Sequence, residues 1–154
     1  MFVCGKERGM SMKRIACLIL VACLLPVCAF ALDLDNFNTY ASIFGESELS
    51  ASGALSANGL TIIKEGTCRI TFNEDGNTLK RIIVEGDGVS FLAYSMAAIM
   101  QFDPDSANYA SNAGQLLSAF LLCRTSGEGM GNTVSGNLIY IQKLDSAYYF
   151  TIGK

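Results

Sequence analysis

Residues 13–31 decide how much of this chain is left to fold. They read Lys-Arg-Ile-Ala-Cys-Leu-Ile-Leu-Val-Ala-Cys-Leu-Leu-Pro-Val-Cys-Ala-Phe-Ala. Two cations, an apolar run and the small-x-small sequence Ala29-Phe30-Ala31 make the pattern of a secretory signal cleaved after Ala31. Residues 1–31 are read as that signal, and residues 32–154 as one folded domain. Met10 or Met12 offers a more ordinary start than Met1, which would leave residues 1–9 untranslated. Leu20-Val21-Ala22-Cys23 carries a competing reading. It resembles a bacterial lipobox, and lipidation at Cys23 would make the product an envelope lipoprotein of structural role. Retention as an anchor is disfavoured, because the run from Ile15 to Ala31 is interrupted by Pro26 and falls short of the ~20 residues a spanning helix needs. No stable membrane span is expected after cleavage, and the product is expected to be secreted or extracytoplasmic.

Roughly 120 residues remain, enough for a single core. The whole chain has 11 Lys and Arg against 14 Asp and Glu. Lys6, Arg8, Lys13, Arg14 and Glu7 leave with the signal, which takes the net charge from −3 to about −6. An acidic product argues against nucleic acid or anionic lipid as partner, since both require clustered Lys and Arg.

Residues 33–45 read as a short helix, with Phe37, Tyr40, Ile43 and Phe44 on one face and Gly45 at its end. Glu46–Asn58 is rich in Ser, Ala and Gly and reads as a loop. Three strands follow, at Leu60–Lys64, Thr67–Phe72 and Thr78–Val84. The turns Glu65-Gly66 and Asn73-Glu74-Asp75-Gly76-Asn77 make them an antiparallel meander. From Phe91 to Phe102 only Ser95 and Gln101 are polar, which predicts a helix buried on most sides. Asp103-Pro104 opens a second helical region with a stripe of Ala113, Leu116, Leu117, Phe120 and Leu121. Gly127, Gly129 and Gly131 read as a mobile loop. Two last strands are expected at Asn137–Lys143 and Ala147–Ile152. The order α-β-β-β-α-α-β-β is an α+β pattern. The expected fold is a single domain with a five-stranded, mostly antiparallel sheet and the helices packed on one face.

Cys68 and Cys123 are the only cysteines outside the signal. In an exported domain they are the natural disulfide pair, closing a loop worth roughly 4 kcal/mol. The chain has no histidine. That removes Ser-His-Asp and Cys-His catalysis and the usual zinc hydrolase ligands. Only carboxylate chemistry remains open. Glu85 with Asp87, and Asp103 with Asp105, are the pairs that would serve a small carboxylate-dependent hydrolase. Turn and cap roles explain the same residues. Asp33-x-Asp35 and Asn73-x-Asp75 begin like calcium loops but lack the closing acid, so no metal is expected. Gly127–Gly131 follows a helix and precedes a strand, the reverse of a phosphate cradle, and no cofactor is expected.

Aromatic residues crowd the closing hairpin. Alternation puts Tyr148 and Phe150 on one face and Tyr149 on the other. Tyr140, Tyr148 and Tyr149 are the candidate binding residues of a non-enzymatic interaction module, with an unknown protein or glycan as partner. The N-terminus is the direct check on the opening inference. Sequencing of exported protein is expected to begin at Leu32; a diacylated Cys23 in that position establishes the lipoprotein instead.

Overall fold

The computed structural model describes residues 34–154. The expected signal segment and cleavage site, with Cys23, lie outside the described residues. A helix α1 over residues 34–43 is followed by strands β1 (Leu55–Ala57), β2 (Leu60–Glu65), β3 (Cys68–Asp75) and β4 (Thr78–Gly86). Helices α2 (Gly88–Phe102) and α3 (Tyr109–Ser126) come next, then β5 (Glu128–Asn132), β6 (Leu138–Leu144) and β7 (Ala147–Gly153). All pairings are antiparallel, in one seven-stranded sheet of order β1-β2-β3-β4-β7-β6-β5.

The α+β class stands, but the five-stranded sheet and the order α-β-β-β-α-α-β-β do not. The sheet has seven strands in the order α-β-β-β-β-α-α-β-β-β. The two additional strands sit at its two edges. β1 falls in the stretch read as loop, and all three of its residues are exposed. A strand with no buried residue has no alternation to read. Its signal is the turn: Asn58 and Gly59 both take positive φ, 52° and 76°, as a two-residue type I′ hairpin requires.

β5 is the segment read as a mobile glycine loop. Gly129 and Gly131 point at α3. A β-carbon on Gly129 would run into the backbone carbonyl of Ala119, and one on Gly131 would lie 3.2 Å from Gln115 Oε1. Glycine here lets a helix lie directly on a strand. Only Gly127, at φ 88° after the last turn of α3, serves as a left-handed cap.

The same contact explains why the buried stripe of α3 differs from the expected one. Its buried residues are Asn112, Leu116, Ala119 and Cys123, while Leu117 and Leu121 are 50% and 58% exposed. Close approach selects small residues over leucines where the helix meets β5.

The core lies on one face of the sheet. Ile63, Ile70, Phe72, Ile82, Val84, Ile139, Ile141, Phe150 and Ile152 point into it. α1 inserts Phe37, edge-on to Phe72 at 5.2 Å and stacked on Tyr94 at 6.2 Å. α2 is the apolar helix expected between Phe91 and Phe102, and ten of its residues are buried. Phe91, Phe120 and Tyr148 form a three-ring cluster joining α2, α3 and β7, with centroids 4.9–6.0 Å apart.

The two kinds of glycine in this region predict opposite outcomes. Gly129→Ala is expected to lower stability by about 2 kcal/mol through backbone overpacking. Gly114→Ala, on the open side of α3 with nothing within 4 Å, is expected to raise it by about 0.5–1 kcal/mol. Denaturant unfolding of the two variants checks both; equal effects would show that α3 does not rest on β5.

Candidate functional site

Strand residues whose neighbours face the core emerge on the other side of the sheet, where no helix lies among the described residues. The pairing registers align them in three rows across the strands. The central row runs Leu55, Ile62, Thr71, Ile83, Thr151, Tyr140, Met130, from edge to edge. On one side of it lies a polar row: Lys64, Arg69, Glu85, Tyr149, Gln142, Glu128. On the other side the row reads Ala57, Leu60, Asn73, Arg81, Gly153, Leu138, Asn132. Six strand spacings of ~4.8 Å make this face about 29 Å wide.

The polar row is held together by its own contacts. Arg69 Nη1 meets Glu85 Oε2 at 2.8 Å. The Tyr149 hydroxyl donates to Glu85 Oε1 at 3.0 Å. The Tyr140 hydroxyl donates to Glu128 Oε2 at 3.0 Å. Each of these bonds to a carboxylate raises the phenol pKa, because ionisation would set a second anion beside the first. Both rings are thereby oriented on the sheet surface. The ends of the central row project furthest, with Leu55 70% and Met130 63% exposed.

The structure divides the three candidate tyrosines. Tyr140 and Tyr149 stand on the uncovered face, one strand apart, and Tyr149 is half-buried. Tyr148 faces the helices, inside the ring cluster with Phe91 and Phe120, with Lys143 Nζ 5.6 Å from its ring centroid. The aliphatic members of the face, Ile62, Ile83, Leu138 and Met130, escaped the sequence reading. The outward positions of the strands carried the only signal for them.

Cys68 and Cys123 are buried, and both are free thiols. Cys68 lies on β3 against Gly86, where a β-carbon would come within 2.7 Å of its Sγ. Cys123 lies over β5, and its thiol donates to the carbonyl of Gly127 at 3.4 Å. β4, β7 and β6 stand between the two, a distance on the order of 19 Å over four spacings of ~4.8 Å. A disulfide needs Cα atoms within about 7 Å. The expected bridge is therefore absent, and burial raises the pKa of both thiols.

The carboxylate pairs are each divided between different settings. Glu85 is engaged on the uncovered face, while Asp87 precedes α2 and is exposed. Asp105 caps the short turn Ser106–Asn108 through the amide of Ala107. Asp103 is 3% exposed and sits in a knot of neutral donors. Its Oδ1 accepts from Asn108 Nδ2, and its Oδ2 from Asn112 Nδ2 and the Ser135 amide. Asn112, fully buried, in turn accepts from the amide of Val134. Burial pushes the Asp103 carboxyl up, but these bonds outweigh it and hold its pKa below the ordinary value. The knot fastens the loop before β6 to the junction of α2 and α3.

A polar groove of about 300 Å³ beside α1 is lined by Asp35, Asn38, Thr39, Ser42 and Glu48. Asn38 is already committed there, donating to the Leu49 carbonyl and accepting from its amide. Among the described residues no three His, Cys, Asp or Glu gather as a metal site. Comparison with protein families, curated proteins and solved structures finds no match to this chain.

The Asp103 knot makes a pH-dependent contribution. Its folded pKa is depressed, so its stabilisation is complete above the ordinary value of about 3.9 and is lost as pH falls through the lower folded value. Asp103→Asn is expected to cost about 2 kcal/mol at neutral pH. That gap from the wild type should narrow as pH drops below about 4. Urea midpoints measured across that range check it, and a gap independent of pH would exclude an ionised Asp103.

Proposed function

We propose that this is an exported protein that works by recognition, and that it binds a protein partner through the uncovered face of its sheet. The observation that carries the reading is the central row, which stays free of charge across all seven strands, with aliphatic, threonine and one tyrosine side chain, while the helices cover only the opposite face. Contiguous apolar surface rimmed by polar side chains is the usual mark of an interaction site. A protein fits this face better than a glycan. Sugars are gripped by stacked rings and free hydrogen-bonding groups. Here the rings are only Tyr140 and Tyr149, and both hydroxyls are occupied by glutamates. Aliphatic side chains supply most of the apolar area. The lack of histidine, and the separate roles of Glu85, Asp87, Asp103 and Asp105, favour recognition over hydrolysis.

Tyr149 is the central polar anchor. It is large, half-buried and already oriented by Glu85, so little conformational entropy remains to be lost on binding. A photo-crosslinking residue placed at Thr151 is expected to form an adduct with a protein partner in exporting cells. Tyr149→Ala should reduce that adduct about tenfold, the effect of losing an anchor worth roughly 1.4 kcal/mol or more. Its unfolding midpoint should stay close to the wild type. Adducts from Leu121 in place of Thr151 would move recognition to the helical side and overturn this reading.

A further inference from the structure

Charge on the uncovered face is polar from edge to edge. Lys64 and Arg69 stand on β2 and β3, Arg81 stands on β4, and Glu128 stands alone on β5. Glu85, between them, is already paired with Arg69. The basic and acidic ends of such a face meet in one orientation. A two-fold axis parallel to the strands, between β4 and β7, lays β2 over β5, β3 over β6 and β4 over β7 of a second copy. The apolar row then meets its own image, with Ile83 opposite Thr151 near the axis. The Lys64–Arg69 end meets the Glu128 end. The alternative axis, along the apolar row, would lay Lys64 over Leu60, Arg69 over Asn73 and Glu128 over Asn132, so the basic and acidic ends of the face would not meet, and only Glu85, already paired with Arg69, would come near an opposite charge, Arg81.

We infer that the uncovered face pairs with the same face of a second copy about the axis parallel to the strands, forming a two-layer sandwich of sheets. The inference rests on the recognition reading of that face and names its occupant. Isologous contacts of this type are the commonest route to a symmetric dimer. Two sheets stack about 10 Å apart with strands within about 30° of one another, near enough for Lys64 and Glu128 side chains to reach across. The footprint also suits the occupant. About 24 Å across the six overlapping strands by about 20 Å along six residues is close to 480 Å² per copy, the size of a small contact that dissociates on dilution.

Sedimentation velocity on the exported protein over a range of concentrations, with a charge exchange, is the test. The wild type should sediment as a dimer that dissociates on dilution. Lys64→Glu should weaken self-association about tenfold by placing two acids together, and Lys64→Glu with Glu128→Lys should restore it. Ile83→Glu should leave a folded monomer, with unchanged far-ultraviolet dichroism. A wild type that is monomeric throughout overturns the inference, and so does a dimer broken by Leu121→Glu but indifferent to Lys64→Glu. A monomer whose Thr151 position still cross-links a different protein overturns the second copy alone and leaves the recognition face standing.

Discussion

Burial on one side of the sheet is the constraint on which the rest of this molecule depends. Ile70, Phe72, Ile82, Val84, Phe150, Ile152, Ile139 and Ile141 fall on one face of four adjacent strands, β3, β4, β7 and β6. They recruit the apolar helix α2, which is long enough to cover only the middle. α1 completes the cover at one end through Phe37, and α3 at the other through its seat on β5. Because a strand alternates its side chains, whatever is buried on one face dictates which residues stand on the other. The candidate site follows directly from the core: Thr71, Ile83, Thr151 and Tyr140 are outward because Ile70, Phe72, Ile82 and Phe150 are inward.

The edges of the sheet are handled in two ways. β1 is three residues long, held by a tight Asn58-Gly59 turn, and Ser56 bonds to Thr61 across it at 3.0 Å. A short edge offers little template for uncontrolled pairing. β5 is covered on its inner face by α3 at backbone contact, and the two glycines make that possible. The free thiol of Cys123 belongs to the same design, as a small side chain at a crowded contact.

One buried acid, Asp103, is surrounded by neutral donors. Asp103 has no cation among its hydrogen-bond partners, which are Asn108, Asn112 and the amide and side chain of Ser135. A charge stabilised by amide groups at fixed geometry ties together three segments distant in sequence. The uncovered face contrasts with it. There Glu85 is shared by Arg69 and Tyr149 in partial contact with water, where each bond orients a side chain more than it stabilises the fold.

Much of this was legible in the chain. The five inner strands, the buried helix at Phe91–Phe102 and the opposed placement of Tyr148 and Tyr149 follow from period-two alternation and apolar content, which are local properties. What tertiary structure decided was each feature whose cause lies elsewhere in the sequence. β1 and β5 have no alternating apolar residues, since one is exposed throughout and the other is glycine where a helix touches it. Asn112 is buried on α3, where its amide donates to Asp103 and accepts from the Val134 N–H. Cys68 and Cys123 matched each other in compartment and number, yet three strands come between them. Local pattern determined which residues go inward; the order in which the strands lie side by side, set by long-range pairing, determined which of them meet.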